Sequence, residues 1–464
     1  SSTWELINPS TEPNAYANGT YLIDIPSGVD PYSYVIQVED PRGIIVIASS
    51  FSRYVCTLNL NSTLYQTLKN AADATVVVEL LQNGTMRWLG QNLNLTTQTK
   101  PIPPIPVKAF HVNQTINNVN QEVLFQIEEW ASDYKVPLSL ANNASVFSNR
   151  NMLVFLVNPN VSKVTIWWNG SDTATQTPNA YKNKYFTVDT NPNQRTLSNT
   201  IVNLKLSFSD FSPDFKVIST LGGSTATAVL MRINQDVAHY GHSEPMYAIT
   251  DGTVRVVLQH EVEWPSGGVD DDLCPNVYAH IVLTLPANAT YYTYQLRFIF
   301  ISSTKTRTIS DLCPIKISAS SGTFSALTEN GTASGYPIVS IANGLFYNIS
   351  NIWQHHWTQI NSSATTGFGI MLTHAANEML YRFDAIAGKN TGALSVSNTS
   401  RTIELLPVAN TLNAPASFLY PLDVIWYGAV VTFDGTTPLY NSSNKSGLWI
   451  IAEYPPTITL TTET

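Results

Sequence analysis

Alternation of apolar and polar residues with a period of two runs through most of this chain. It is typical of β-strands, whose successive side chains point to opposite faces of a sheet. The clearest examples are Val254–Trp264, Tyr292–Phe300 and Val202–Phe208. In the first of these, the face that carries Arg255 and Gln259 has the composition of a solvated surface. The pattern therefore predicts a half-buried strand there.

Turn residues separate these segments. Asn83-Gly84 lies between Thr75–Leu81 and Met86–Leu89, and this arrangement predicts a hairpin. Val424–Phe433, which runs into Asp434-Gly435, gives a second hairpin signal. Helix signals are scarce, and the best one runs from a cap at Ser62 to Ala72, with apolar residues at helical spacing. We predict an all-β fold of antiparallel β-sandwiches, immunoglobulin-like or jelly-roll, with very little helix.

A chain of 464 residues exceeds what one hydrophobic core usually supports, so several domains are expected. Prolines dominate Lys100–Pro106 and favour an extended spacer. We predict a β-rich domain at 1–100, a proline-rich linker at 101–106, a β-sandwich at 107–208 and a larger β-sandwich region at 209–464. The last region is one large domain or two packed ones.

Charged residues make up only 12% of the chain, against 44% hydrophobic residues, and the net charge is -9. This balance excludes a disordered chain, and the lack of Lys/Arg clusters argues against nucleic acid as a partner. No apolar run approaches the length of a membrane span. With few carboxylates to protonate, acid denaturation should be weak, which suggests an acidic extracellular setting. An ordinary secreted protein at neutral pH is the alternative.

Asparagine begins an Asn-X-Ser/Thr triplet fifteen times, an excess just under twofold over chance for this composition. Each triplet is an acceptor for an N-linked glycan, which indicates a secreted protein. Several of the acceptors precede glycine and are therefore expected in turns. The predicted glycosylation sites are Asn18, Asn61, Asn83, Asn94, Asn113, Asn143, Asn160, Asn169, Asn288, Asn330, Asn348, Asn361, Asn398, Asn441 and Asn444.

Two of the three cysteines lie in a repeated Asp-Leu-Cys-Pro motif, at Cys274 and Cys313. We predict that they form a disulfide, which would constrain the unfolded chain. Cys56 is then left over, either as a small buried side chain or as an intermolecular bridge.

Residues that could carry chemistry are few. The segment His239–Glu244 has two imidazoles and a carboxylate without any known metal-binding spacing, so no metal and no cofactor are predicted. Glu261 and Glu263 share a strand face at a separation that suits glycoside hydrolysis, although that face otherwise looks solvated. Trp167-Trp168 and Trp426-Tyr427 each place one aromatic ring outward, where it stacks on a sugar, anchors an interface or meets a second buried layer.

In its sequons, low charge and Asn/Thr/Tyr-rich strands, the whole chain resembles secreted, glycosylated surface proteins of thermoacidophilic archaea. Phe125–Pro137 and Val164–Thr177 look similar to segments of such proteins. The resemblance implies a non-enzymatic structural protein that assembles with copies of itself at the cell surface, as a surface layer or an extracellular filament.

Three alternatives remain open at this point. The first is a turret or fibre on the virion of an archaeal virus. The second is a secreted carbohydrate-active enzyme that uses Glu261 or neighbouring acids. The third is a carbohydrate-binding protein, for which Trp168 would be the residue to test.

Overall fold

The structure is a computed structural model. It describes residues 36–39, 45–48, 53–59, 76–92, 102, 104–157, 161, 163–168, 194–209, 212–233, 236–237, 247–263, 277–300, 307–309, 312–319, 325–329, 338–341, 343–346, 357–363, 366–372, 393–397, 400–407, 412–414, 422–434, 448–449, 452 and 457–463.

The described residues form 33 β-strands and a short 3-10 helix, Val107–Ala109, and Leu448, Trp449 and Ala452 are α-helical. In chain order the strands are β1 Ile36–Glu39, β2 Ile45–Ala48, β3 Arg53–Asn59, β4 Val76–Leu81, β5 Met86–Trp88, β6 Gln91–Asn92, β7 Phe110–Ile116, β8 Val119–Glu122, β9 Phe125–Trp130, β10 Pro137–Leu140, β11 Asn151–Val157, β12 Lys163–Trp168, β13 Gln194–Ser198, β14 Asn203–Ser209, β15 Ser212–Leu221, β16 Ser224–Ile233, β17 Asp236–Val237, β18 Tyr247–Asp251, β19 Arg255–Glu263, β20 Val277–Pro286, β21 Tyr291–Phe300, β22 Arg307–Ile309, β23 Leu312–Ser318, β24 Ser325–Glu329, β25 Ile338–Ile341, β26 Asn343–Phe346, β27 Trp357–Asn361, β28 Gly367–Leu372, β29 Ala393–Ser397, β30 Thr402–Leu406, β31 Leu412–Ala414, β32 Leu422–Phe433 and β33 Thr457–Glu463.

Four antiparallel sheets carry most of these strands. Sheet I has the order β33-β3-β12-β7-β8, and sheet II the order β10-β9-β11-β4-β5-β6. Sheet III has the order β18-β19-β20-β21-β32-β28-β27-β24-β25. Sheet IV has the order β13-β14-β15-β16-β23-β30-β29-β26, with β17 beside β16. Two further strand pairs are β1 with β2 and β22 with β31. The all-β, antiparallel prediction is confirmed.

Sheets III and IV enclose the first hydrophobic core. Alternate residues of β20 and β21 point into it, as Ile281, Leu283 and Leu296 show. Residues of sheet IV such as Leu206 and Ile317 meet them from the other side. This core is a sandwich of two nine-stranded sheets.

The opposite face of sheet III joins the second core, which it shares with sheet II. Val257 and Val431 belong to this cluster, together with Val154 of β11. Consecutive residues of β11 are fully buried, so sheet II is covered on both faces. Phe110 and Ile166, on the inward face of sheet I, belong to the same cluster. The layers therefore follow the order I, II, III, IV, with two inner sheets.

Several strand predictions are confirmed in detail. Leu204 and Leu206 of β14 are buried whereas Lys205 between them is exposed, as alternation requires. The hairpin of β4 and β5 turns through Asn83-Gly84, where Gly84 has a φ of 83°. β32 covers the predicted strand at Val424–Phe433, although the rest of that hairpin lies outside the described residues. The predicted helix at Ser62–Ala72 also lies outside them.

The prediction for the Arg255 face of β19 is wrong. Arg255 is 1% exposed because this face packs against sheet II and is solvated only toward Glu261. Alternation distinguishes a polar face from an apolar one, but it does not show that a second inner sheet covers the polar face.

Strands on both sides of the proline-rich segment Lys100–Pro106 share sheet II, where β4 pairs with β11. Ile102 and Ile105 in that segment are buried, and the Ile102 amide donates to the Gln82 carbonyl at 2.7 Å. Near residue 209, β14 and β15 are neighbours in sheet IV. The sheets thus connect strands across both predicted boundaries, and the division into domains stays a prediction.

Candidate functional site

Two places in the structure concentrate polar and aromatic side chains on rigid strands. One is a buried ionic cluster between sheets II and III, formed by Glu79, Arg87, Glu128 and Arg255. The other is an edge site on sheet I, formed by strand β8 with His111 and Trp167.

Strand β9 positions the centre of the ionic cluster. Its alternate residues Gln126, Glu128 and Trp130 lie on the face toward sheet III, where β19 presents Arg255. The Gln126 carbonyl oxygen accepts hydrogen bonds from the backbone amides of Val254 at 2.9 Å and Arg255 at 3.0 Å. The Gln126 side-chain amide therefore links sheets II and III through hydrogen bonds that involve no charged group.

Glu128 is fully buried and accepts four hydrogen bonds. Its Oε1 receives the Gln126 side-chain amide at 2.7 Å and Arg255 Nε at 2.8 Å. Its Oε2 receives Trp130 Nε1 at 2.8 Å and Arg255 Nη2 at 2.7 Å. The two Arg255 bonds form the bidentate fork that suits a carboxylate.

Two more buried charges complete the cluster. Arg255 Nη1 also donates to Glu79 Oε1. Glu79 faces Arg87 directly across the β4–β5 pair, and Arg87 is 2% exposed. Arg87 Nε donates to the Gly90 carbonyl at 3.0 Å, and its guanidinium lies 5.5 Å from the Trp130 ring centroid. Two carboxylates and two guanidiniums together carry no net charge.

Electrostatics fixes the charge states at the centre of this cluster. Burial raises the pKa of Glu128, but the charge of Arg255 and the hydrogen bonds from Arg255, Trp130 and Gln126 outweigh it, so the pKa lies below its usual value. Burial lowers the pKa of Arg255, and the two glutamates more than reverse this. Both groups stay ionised, so the arrangement suits a permanent tie between sheets rather than proton transfer.

The edge site begins on the outer face of sheet I. Trp167 on β12 lies opposite His111 on β7, and their rings stack at 4.0 Å with an interplanar angle of 9°. His111 Nδ1 is 3.0 Å from Glu122 Oε1, and His111 itself is 3% exposed. Trp167 stays partly exposed, and His111 contacts both its ring and the Glu122 carboxylate.

Strand β8 supplies the second part of the edge site. Among the described strands it pairs only with β7, and all four of its residues are exposed. Val119 is 56% exposed. A two-residue turn, Asn117-Asn118, connects it to β7 with φ angles of 50° and 62°, the left-handed values that asparagine tolerates. No described strand therefore pairs with the other side of the β8 backbone.

Only one of the two predicted carboxylates, that of Glu261, is described by the structure, so their pairing stays a prediction. Glu261 is exposed, and Gln259 Nε2 donates to it at 3.1 Å, while the side chain of Glu263 lies outside the described residues. His280 Nε2 lies 3.8 Å from Glu261. Burial, with a smaller effect from the charge of Arg297, lowers the pKa of His280 to about 4, so this imidazole is neutral at neutral pH.

Five of the fifteen predicted glycosylation sites fall on described residues. Asn83 and Asn288 are exposed in the turns after β4 and β20. Asn113, Asn143 and Asn361 are partly buried, and Asn361 accepts a hydrogen bond from Gln359 at 2.7 Å. The other ten, which are Asn18, Asn61, Asn94, Asn160, Asn169, Asn330, Asn348, Asn398, Asn441 and Asn444, lie outside the described residues.

The remaining predicted residues divide in the same way. Cys313 is buried in β23, but Cys274 lies outside the described residues, so their disulfide stays a prediction. The His239–Glu244 segment also lies outside. In the described part of the chain, no three His, Cys, Asp or Glu side chains are grouped to hold a metal ion. There is also no helix there that is long and apolar enough to cross a membrane.

The aromatic pairs are placed by the register of their strands. Trp168 lies opposite Phe110, whose side chain is fully buried, so Trp167 is the outward member of its pair. The side chain of Trp168 lies outside the described residues, so the choice of Trp168 as the residue to test stays a prediction. Trp426 is fully buried, and Tyr427 is partly buried, with its ring packed against the Gly90 backbone. For this second pair, the other buried layer is the correct explanation.

No family model and no curated protein matches this chain. Among solved structures it is similar to the crystal structure of an alpha-mannosidase from Enterococcus faecalis V583, with a TM-score of 0.42 and 9% sequence identity. The match covers 88% of this chain and 46% of the mannosidase chain, so this chain spans about half of that protein. A likeness of this size carries no argument about activity.

Proposed function

We propose that this protein is an extracellular structural component that assembles with copies of itself at the cell surface. The observation that carries this proposal is strand β8, a sheet edge exposed along its whole length. Unpaired edges attract further strands, and proteins that stay monomeric usually cover them or place lysine or proline there. β8 contains neither residue.

The rest of the molecule suits such a role. Four stacked sheets, with a buried ionic cluster between the two inner ones, give a rigid unit that transmits load between neighbours. The exposed turn asparagines, Asn83 and Asn288, lie where glycans would not disturb either core. These features support a surface-layer or filament subunit that is glycosylated and secreted.

Electron microscopy of the protein purified from its native source tests this proposal. Sheets or filaments that contain the chain would support it. A protein that stays monomeric at all concentrations in light scattering would contradict it. Co-purification with nucleic-acid-containing particles would instead identify a virion surface protein.

A second candidate function, carbohydrate binding, is favoured by the outer face of sheet I. Trp167 offers a partly exposed ring stacked on His111, and the Glu122 carboxylate lies 3.0 Å from the same imidazole. Sugar rings stack on aromatic faces in such settings. Binding on a glycan array that Trp167→Ala abolishes and Thr165→Ala retains would support this function. Thr165 lies on the same face of the same strand, two residues away.

A further inference from the structure

We infer that β8 pairs antiparallel with β8 of a second copy, about a two-fold axis that passes through Gln121. This inference rests on the proposed self-assembly and names the surface, the partner and the register. It joins two copies of sheet I, five strands from each, into one continuous sheet.

The β7–β8 ladder shows which backbone groups are free. Ile116 and Val119 flank the two-residue turn, and at the far end the Val123 amide donates to the Val112 carbonyl at 2.8 Å. Hydrogen-bonded and non-bonded pairs alternate in an antiparallel ladder, so Gln121 bonds to β7 while Asn120 and Glu122 do not. The N–H and C=O groups of Asn120 and Glu122 therefore point away from β7, toward the open edge.

These outward groups restrict the register of an added strand. In an antiparallel ladder, an outward-bonding residue pairs only with another outward-bonding residue. With the two-fold axis at Gln121, Asn120 lies opposite Glu122 of the second copy, and Glu122 opposite the second Asn120. Each carboxylate then meets a side-chain amide that can donate to it, and the two glutamines meet at the centre.

Alternative registers of the same strand lose this complementarity. An axis at Glu122 places the two carboxylates directly opposite each other, which is unfavourable. An axis at Asn120 pairs Val119 with Gln121 and places Glu122 opposite Asn118, which has a φ of 62° in the turn and lies outside β8. The sequence of β8 is thus complementary to itself in one register, which is why we assign a second copy as its partner.

The β8–β8 contact has two-fold symmetry, which limits the number of copies that it joins. A two-fold pairing uses the same surface on both copies and closes on itself, so it yields a dimer. A surface layer or filament built from this protein then needs a second, different contact, and the dimer is its repeating unit.

Cysteine cross-linking of the full-length secreted protein tests the register. Gln121→Cys places one thiol opposite the same residue of the second copy at a non-bonded pair, where Cα atoms are about 4.5 Å apart and within reach of a disulfide. Val119→Cys is the matched control, since Val119 is exposed on the same strand but lies four positions from its own copy, ~13 Å along the strand. We expect mild oxidation to link Gln121→Cys at least tenfold more than Val119→Cys.

Two further variants test the backbone contact. Asn120→Pro removes an outward N–H without affecting the β7 ladder, whereas Asn120→Ala keeps it. In the Gln121→Cys background, we expect the proline to abolish the cross-link and the alanine to reduce it only partly, with unchanged melting temperatures for both.

Equal cross-linking of Gln121→Cys and Val119→Cys would overturn the register. Assemblies in light scattering that persist in Asn120→Pro, without a cross-link in Gln121→Cys, would show that another surface is used; the inference would then fail while self-assembly stands. A chain that shows neither cross-linking nor assembly would remove both.

Discussion

Glu128 carries an unusually large share of the contacts between the inner sheets for a single side chain. An isolated carboxylate in an apolar core is strongly unfavourable, so the four donors around Glu128 are a condition of its burial. Removing its charge leaves Arg255 with a weaker partner, and Arg255 is itself buried. A substitution of Glu128 therefore lowers the free energy of unfolding mainly because Arg255 stays buried without its charged partner.

Glu128→Gln should lower the free energy of unfolding by about 3–5 kcal/mol, the range for breaking a buried ion pair from one side. Urea unfolding followed by circular dichroism measures this. Glu129→Gln is the matched control, because Glu129 is the next residue on β9 and its partly exposed carboxylate lies 3.6 Å from the surface residue Arg150. It should change stability by less than about 1 kcal/mol. Similar costs for the two variants would contradict the role given to the cluster.

His280 introduces an acid-sensitive contribution. Its folded pKa of about 4 lies below the unfolded value of 6.5, so protons bind preferentially to the unfolded chain and stability falls as pH falls from 6.5 toward 4. The loss should reach about 3 kcal/mol. Glu128 acts at lower pH, because its depressed pKa gives stability that is lost only below its unfolded value. Tolerance of acid therefore stays a hypothesis, and these two groups work against it.

His280→Leu should remove this dependence, and it leaves no described polar group orphaned because neither ring nitrogen of His280 has a hydrogen-bond partner among the described residues. The difference in unfolding free energy between pH 7 and pH 4.5 should shrink by about 2–3 kcal/mol relative to the wild type. Urea unfolding at the two pH values gives this difference directly. An unchanged difference would show that His280 does not titrate as described.

At the scale of elements, turns as well as strands connect the layers. Asn199 lies in the turn between β13 and β14 of sheet IV and is 1% exposed. Its side-chain amide donates to the carbonyls of Pro286 at 2.6 Å and Ala289 at 2.8 Å, in the β20–β21 turn of sheet III. Its Oδ1 accepts the backbone amides of Ile201 and Val202. One side chain thus shapes its own turn and attaches it to the neighbouring sheet.

Asn199→Ala should lower the free energy of unfolding by about 2–4 kcal/mol, because it leaves two carbonyls and two amides without these partners. Asn203→Ala is the control, since Asn203 is exposed at the start of β14, and it should change stability by less than about 0.5 kcal/mol. Thermal unfolding of both variants measures this. A small effect at Asn199 would mean that water replaces its hydrogen bonds.

The sequence predicts strands of this protein better than it predicts what covers them. The alternation in Val202–Phe208 and Tyr292–Phe300 follows directly from the pleat, and Asn83-Gly84 marks a turn that local chemistry dictates. Burial of Arg255 depends on which sheet packs on its face, and that is a long-range property. The partners of Arg255 are Gln126 and Glu128, which occupy alternate positions of β9. The sequence contains this pattern, but no local signal shows that β9 and β19 face each other.

The edge site was missed for a similar reason. Val119–Glu122 is short and polar, so it has little of the β-propensity that marks a strand. Asn117-Asn118 is the one local signal, because two asparagines tolerate the positive φ angles of a tight hairpin turn. That β8 lies at an edge is decided by the order of strands in sheet I, which local patterns do not contain.

At the scale of the whole molecule, a glycan can be attached only where the four-layer fold leaves the acceptor asparagine accessible. Asn83 and Asn288 are exposed at turns, so a glycan there projects into solvent. Asn361 lies on a strand, and its side chain accepts a hydrogen bond from Gln359. The predicted glycosylation sites in the described part of the chain thus differ in how much space they leave for a glycan.

Mass spectrometry of glycopeptides from the native protein should find Asn83 and Asn288 occupied, with Asn361 occupied to a smaller extent. The physical reason is steric, because a sugar at Asn361 must displace the Gln359 contact. Asn83→Gln and Asn288→Gln should each lower the mass by one glycan, and Asn288→Gln should also lower the melting temperature, because Asn288 has a φ of 56° that asparagine tolerates better than glutamine. Bare asparagine at both positions would contradict glycosylation at exposed turns.

The absence of net charge in the Glu79, Arg87, Glu128 and Arg255 cluster has a consequence for how this sequence can diverge. Losing one member leaves an unbalanced ion in the interior, whereas losing one acid and one base together leaves the balance intact. Homologous chains are therefore expected to exchange these positions in opposite-sign pairs, and single replacements should be rare. Covariation among these four positions in homologous sequences would then identify the interface between sheets II and III.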